Sequence, residues 1–476
     1  VSKEPVFPSV QSPEVVSSFV KACRNLVGDR VSTSPEDRMR AGKDWWPRAW
    51  LWDPLGKIPS LPDVVVWPED TEEVAALVRL ASQHQIPITP RGGGSGVLGG
   101  AVPVRGGVVL DLTRMCRIRT LDEESLLVTV EAGILGMALE EELNRQGFTC
   151  RHIPQSLALS TVGGWIAARS IGEFSTKYGP IEEMIAGLEV VLPWGEIWQS
   201  RVAPRTATGP RLVDLFVGAE GTLGIVTAAT LRIHRLPATQ RMRSFTFPDL
   251  TRGIAAVREM VQRGVLPAVC RLYDELEAGY RFSSVLRERG PLLLLLFEGD
   301  DRLALAEESV GTSICLDQGG HDVGEGPVQH WLQTRFDISE VEALLNQGAV
   351  LDTVEVAATY SRILPLYDAI MEAIRGVPGT AVAFGHFSHF YPDGACLYVS
   401  LAGFPGEDRE GYYQRCWEAA MGACLATGGT ISHHHGIGLQ KAPWLDQELG
   451  GGMEILRRVK GALDPHGLFN PGKLGL

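Results

Sequence analysis

Paired cysteines, long apolar runs and an excess of positive charge are all missing from this 476-residue sequence. Its eight cysteines include no C-x-x-C pair, which removes the usual zinc-ribbon and dithiol motifs and suits buried free thiols in a reducing compartment. The longest apolar run, Pro291–Phe297, falls far short of the roughly 20 residues that cross a bilayer. Basic residues number 44 against 57 acidic ones, a formal net charge of −13. That balance argues against nucleic acid as a partner, because phosphates demand a basic surface. It leaves an anionic small molecule open, since a few local cations decide such binding. No signal-peptide pattern stands at Val1 and no targeting tripeptide in Gly472–Leu476. A cytoplasmic protein with at most peripheral membrane contact is therefore expected. What remains is 45% hydrophobic and 21% charged, the balance of a soluble globular enzyme, on a chain too long for one core.

The patterning divides the chain into four stretches. Residues 1–60, with Trp45, Trp46, Trp50 and Trp52 near their end, read as an N-terminal helical extension. Residues 61–236 are α/β in texture. Val64-Val65-Val66 forms a short strand, and Asp70 caps a helix through Val74, Leu77, Val78 and Ala81. Strands follow at Ile86–Thr89, Gly107–Leu112 and Leu126–Glu131, with a helix over Ile134–Gln146 that Gly147 ends. From Pro237 to residue 450, helices (Gly253–Arg263, Leu303–Cys315, Leu364–Ile374, Gly411–Thr427) alternate with strands (Leu292–Phe297, Ala381–Phe387, Cys396–Ser400). This is the pattern of an antiparallel sheet with helices on one face. Residues 451–476, one helix and a Pro/Gly tail, are expected to return to the first domain.

Three glycine-rich segments punctuate the first domain. Pro90-Arg91-Gly92-Gly93-Gly94-Ser95-Gly96 is the densest; Ser160-Thr161-Val162-Gly163-Gly164-Trp165 opens an apolar helix; Gly218–Val226 enters a strand. Without Cβ atoms, successive N–H groups converge on an anion and the backbone can press against a pyrophosphate. A single run of this kind reads equally well as a flexible turn. The first run is neither a Rossmann fingerprint nor a Walker A loop. Three such turns in one α/β region suit an extended cofactor with several phosphates.

The order of these segments resembles the FAD-binding domain of the vanillyl-alcohol oxidase/PCMH flavoprotein superfamily, and within it the alkylglycerone-phosphate synthases. Ser160–Trp165, Thr208-Gly209-Pro210, Glu220–Val226 and His433-His434-His435 carry the resemblance. It implies an α+β fold: a PCMH-type, two-subdomain FAD-binding domain plus an antiparallel-sheet cap with helices on one face. It also implies that Pro90–Gly96 hold the pyrophosphate. Gln155, Ser156, Ser160, Thr161, Gly163, Gly164, Ala167, Ala168, Arg169 and Ser170 would line the FAD. Glu220, Gly221, Thr222, Leu223, Gly224, Ile225 and Val226 would meet it near adenine and ribitol. Relatives that attach FAD covalently through the first loop place a histidine after the glycines. Ser95 stands there in this chain, so non-covalent FAD is expected.

On the reacting side, His433-His434-His435-Gly436-Ile437-Gly438 follows a helix and the turn Gly428-Gly429. Three successive residues cannot share one face of a strand, so at most two imidazoles would point at a common site. An active-site role, a polar packing loop and a metal site are all open readings of the run. By the resemblance these histidines sit at the isoalloxazine and are needed for activity, Tyr398 is the acid/base, Arg271 matches an arginine that the family needs for activity, and no metal is expected. Neighbouring histidines would lower the phenol's pKa toward usefulness. His386 and His389 fall on opposite faces of a regular strand, so one of them is expected to face the substrate.

The resemblance implies exchange of an acyl for an alkyl group on a dihydroxyacetone-phosphate-like, lipid-like small molecule, through flavin N5 and without net redox change, in a homodimer. Two alternatives stand beside it: FAD-dependent oxidation of a 2-hydroxy acid or other alcohol, and a flavin-binding protein that has lost catalysis. The 2-hydroxy-acid dehydrogenases carry Gly-Asp-Gly-Asn-x-His and Glu-His-Gly-Ile-Gly segments that supply metal ligands. Here Tyr398 replaces the histidine and His434 the glutamate, which disfavours that chemistry. The synthases also carry Pro-Tyr-x-Arg-Asp in the cap. The matching stretch reads Ile338-Ser339-Glu340-Val341-Glu342, so Val341 takes the place of a substrate arginine. The substrate is expected to depart from that of the synthases accordingly, unless nearby Arg335 substitutes.

Overall fold

The computed structural model describes residues 3–476 except Ile338 and, in helix Ser339–Asn346, the side chains of Glu340, Val341 and Glu342. The substrate position assigned to Val341 thus lies outside the described residues. The Val64–Val66 run forms the centre of a small sheet. Its neighbours are Val108–Asp111, then Ile88–Arg91, all parallel, with Val31–Ser32 antiparallel on the other edge. Helix Thr71–His84 packs on it and starts where expected, the Asp70 carboxylate accepting the Glu73 N–H at 2.8 Å. A two-residue strand is too short to read from sequence, so the stretch expected as purely helical also supplies a sheet edge. Its helix Pro13–Val27 buries Phe19, Val20, Cys23 and Val27 in the same core as helix Thr71–His84.

A second, antiparallel sheet completes the first half in the order Ile197–Gln199, Ile185–Val191, Ile225–Arg232, Leu127–Glu131, Ile118–Asp122. The cap is a seven-stranded antiparallel sheet in the order His321–Asp322, Thr239–Thr246, Leu292–Gly299, Val269–Tyr273, Thr380–Ser388, Gly394–Gly403, Val350–Thr359. Side chains alternate along each strand. Leu397, Val399 and Leu401 turn to one face, where helices Ile363–Arg375 and Arg409–Thr427 bury them with Ile370, Ile374, Trp417 and Met421. Burying that face supplies the drive for the cap to fold, at about 25 cal/mol per Å² of apolar surface. Cys396 and Tyr398 take the opposite face, toward the first domain.

The tail returns to the first domain. The Asn470 N–H bonds the Ile88 carbonyl at 2.7 Å. Buried Lys460 donates to the carbonyls of Thr222 and Phe469, at 2.7 and 2.8 Å. Among the described residues no helix is long and apolar enough to cross a membrane.

Candidate active site

The three glycine segments meet. Strand Ile88–Arg91 ends in Pro90-Arg91, and the loop Gly92–Gly96 turns against the second segment. A Cβ added at Gly92 would collide with Thr161 Oγ1, and one at Gly93 with the Leu159 carbonyl oxygen. A Cβ at Gly221, where φ is +74°, would strike the Pro90 ring. Close approach thus makes glycine obligatory at all three points. Among the described residues, the backbone N–H groups of Gly92, Gly93, Gly94, Ser95 and Gly96 have no protein acceptor. Five successive free donors beside a second glycine loop form an anion cradle that fits a pyrophosphate. The residues present therefore suit a dinucleotide, and Ser95 offers it no covalent attachment.

The other expected cofactor residues divide by role. Gln155 donates to the Arg335 carbonyl at 3.2 Å and so ties this loop to the cap. Ser156 supplies its carbonyl to the Ser160 hydroxyl, which also accepts from the Trp165 indole at 2.8 Å. Thr161 caps helix Val162–Ala168, and Gly163 lets that helix press on Ala132. Ala167 accepts the Glu220 N–H, Arg169 pairs with Glu182, and Ser170 bonds His152 at 3.0 Å. Thr222, Leu223, Ile225 and Val226 are buried. Glu220 aims its carboxylate at the N–H groups of Ile437 (2.6 Å) and Gly438 (2.9 Å), tethering the histidine loop.

Strand register assembles the reacting face. Tyr273, His386, Tyr398 and Glu355 lie directly opposite one another across four strands, and Arg271, Ser388 and Cys396 form the next row. The imidazole of His386 stacks on the Tyr398 ring at 5.1 Å. His434 lies parallel to that ring at 6.1 Å, and His435 meets it edge-on at 5.8 Å. His433 bonds the Tyr391 hydroxyl through Nε2 at 2.9 Å and His434 through Nδ1 at 3.0 Å.

Residues 433–435 form a loop and not a strand, and two of the three rings, His434 and His435, meet Tyr398. A buried carboxylate, Glu355, accepts the backbone N–H of His433, His434 and His435 in succession and pairs with buried Lys441. His433 and His434 face His389, and His434 and His435 face Tyr398. His389, at φ +52°, has left its strand, so the opposite-faces argument does not apply to it. It stacks on His433 at 5.4 Å and bonds Ser175 of the first domain at 2.7 Å. Both His386 and His389 thus reach the site.

Electrostatics overturns a second expectation. Burial pushes His433 and His434 down to about 3, and His386 and His435 to about 4. These rings are neutral at pH 7 and bring no positive charge to the phenol. Burial instead pushes Tyr398 up to about 12, while its hydroxyl donates to Thr353 Oγ1 at 3.0 Å. Burial alone would raise Glu355, but Lys441, His435 and His434 hold it well below the usual carboxylate range. The His435 Nδ1 is buried without a hydrogen-bond partner.

Two arginines flank one indole. The guanidinium of Arg271 lies 5.4 Å from the Trp331 ring and that of Arg335 5.1 Å. The Arg335 side chain is only 14% exposed; its Nε lies 3.2 Å from Glu173 but out of line for a hydrogen bond, and Nε and Nη1 are unpartnered. Cys396, His433 and His434 bring one ligand atom each within 4.8 Å of one another. Burial pushes that thiol far up and the two imidazoles already bond each other. Glu355, Lys441, Glu173, Trp331 and Ser175 escaped the sequence reading, because only the folded register brings them to Tyr398 and Arg271.

Residues 62–201 match the family model described as an FAD binding domain, and residues 236–474 that of the C-terminal domain of FAD-linked oxidases. The alkyldihydroxyacetonephosphate synthase of Trypanosoma brucei brucei is 30% identical over 100% of this chain and 83% of its own length. The probable mitochondrial D-lactate dehydrogenase of Danio rerio is 32% identical over 97% of this chain and 91% of its own. A solved alkyldihydroxyacetonephosphate synthase superimposes with a TM-score of 0.83 at 26% identity, covering 99% of this chain and 88% of that one.

Proposed function

From the fact that this chain belongs to the FAD-linked oxidase family, and so is an FAD-dependent enzyme, we propose that it carries out synthase-type group exchange on an anionic, dihydroxyacetone-phosphate-like substrate. Bound FAD supplies an electrophilic ring able to accept an electron pair. The N–H groups of Gly92–Gly96 would hold its phosphates without a covalent bond.

The observation that carries the reading is Tyr398. A neutral phenol stands in the row between His386 and Glu355, where the 2-hydroxy-acid dehydrogenases place a metal-binding histidine. With its pKa near 12 it is a poor ligand and a poor base, but a ready hydrogen-bond donor. Its O–H would donate a hydrogen bond to a departing oxygen. The Nδ1 of His435, beside the same ring, makes no hydrogen bond and lies 3.6 Å from Glu355 Oε1.

Arg271 and Arg335 bind the substrate's anionic group. Both lie near Glu173 and over Trp331. Two cations against one carboxylate leave a net positive charge, and the two unsatisfied donors of Arg335 have the chemistry to receive a phosphate. Arg335 thereby replaces the arginine absent at position 341.

The test is an anaerobic titration of the oxidised holoprotein with acyl-dihydroxyacetone phosphate plus a fatty alcohol, and separately with D-lactate. Release of fatty acid and formation of an ether product, with no electrons passed to an artificial acceptor, supports the proposal. Catalytic acceptor reduction by D-lactate, with no acid release from the phosphorylated substrate, sinks it in favour of dehydrogenation.

A further inference from the structure

Arg271 is a guanidinium in the site with no carboxylate in salt-bridge range among the described residues. Its Nε donates to the Tyr273 hydroxyl at 2.9 Å, and its Nη2 lies 2.6 Å from His386 Nε2. An arginine carries N–H donors and no acceptor, so His386 Nε2 must present its lone pair. The other ring nitrogen, Nδ1, lies 3.0 and 3.2 Å from the two oxygens of Glu277 and must carry the hydrogen. The tautomer follows from the partners alone. Glu277 is fully buried and pinned from three sides: its N–H bonds Asp274 at 2.7 Å, its Oε1 accepts from Arg281 at 2.6 Å, and its carboxylate receives His386.

We infer that Glu277 and His386 are positioning residues, a carboxylate–imidazole pair that aims the Arg271 guanidinium at the substrate's anionic group without neutralising it. This rests on the anion site proposed above. A carboxylate bonded directly to Arg271 would occupy its fork and cancel its charge. An imidazole between them fixes one Nη2 hydrogen and the plane of the group. Of the five N–H donors, Tyr273 and His386 take two, and the other three have no protein acceptor among the described residues. His386 is thereby committed to two hydrogen bonds and does not itself exchange protons with substrate.

Two measurements on the holoenzyme test this. In a long-range proton–nitrogen spectrum of histidine-labelled protein, the signal absent from His386→Gln should show a protonated Nδ1 and a bare Nε2. A protonated Nε2 overturns the inference. The second measurement is calorimetric binding of inorganic phosphate. His386→Phe should weaken it at least about tenfold. His386→Gln should stay within about threefold, because its amide oxygen can accept from Arg271 while its amino group reaches Glu277. Flavin content and melting temperature report whether each variant is folded. Equal losses in the two His386 variants, or none in His386→Phe against a clear loss in Arg271→Met, overturn the positioning role. Unchanged binding in Arg271→Met instead refutes the anion site itself, so the two failures are told apart.

Discussion

Replacing Tyr398 with phenylalanine separates chemistry from architecture more cleanly than any other change in this site. The ring is held by His386 at 5.1 Å and His434 at 6.1 Å, and phenylalanine keeps those contacts. What disappears is one hydroxyl and its bond to Thr353 Oγ1, a net stability loss of about 0.5–1.5 kcal/mol. Burial pushes its pKa up to about 12, so the phenol is un-ionised at pH 7. The group therefore acts as a neutral hydrogen-bond donor that keeps its proton. Losing such a donor removes ~10²–10³-fold of rate, about 2.7–4 kcal/mol of barrier. The expected outcome is a large fall in turnover with the flavin-to-protein absorbance ratio unchanged and a small drop in melting temperature. Turnover within threefold of wild type would refute the assignment, and loss of flavin would reassign Tyr398 to structure.

Acid precipitation should release all the yellow colour into the supernatant, because Ser95 gives FAD no covalent anchor; colour in the pellet contradicts this. Glu355→Ala should destabilise the fold by about 3–5 kcal/mol, since Lys441 is left as a buried uncompensated charge, read as a lowered melting temperature. The folded pKa of Glu355 is depressed. Its contribution is thus present above the unfolded value near 4.3 and drains away as pH falls through the folded one, so the gap between wild type and Glu355→Gln should close in acid. Arg335→Met should raise KM for a phosphorylated substrate at least about tenfold, the scale of a lost charge-assisted bond, with kcat little changed. An unaltered KM would return the anion to Arg271 alone.

Local signals wrote much of the fold openly. Asp70 before an apolar 3.6-residue repeat marked where its helix begins, and Cys396–Ser400 read as a strand, which proves to run over Gly394–Gly403. The glycine runs announced where backbone meets backbone. The site's supports were hidden, because their meaning depends on partners far along the chain. Glu355 sits in an alternating strand where a carboxylate normally faces water. Only its register against Tyr398, and the loop that closes over it, turn it into an acceptor. Glu277 and Glu173 look like helix-surface and loop acids until the cap brings Arg271 between them. His389 escaped its strand geometry through a positive φ that no neighbouring residue signals.

The segment 433–438 donates three N–H groups to Glu355 of the cap and two to Glu220 of the first domain. It therefore behaves as a rivet through both halves. Neither half alone can satisfy it, so the two cores should melt in one calorimetric transition, and a separately expressed cap would leave two of those donors bare. The rivet also limits evolutionary exchange. A cap grafted from a relative can replace the helices, yet it must bring a carboxylate at the Glu355 position or lose the histidines' geometry.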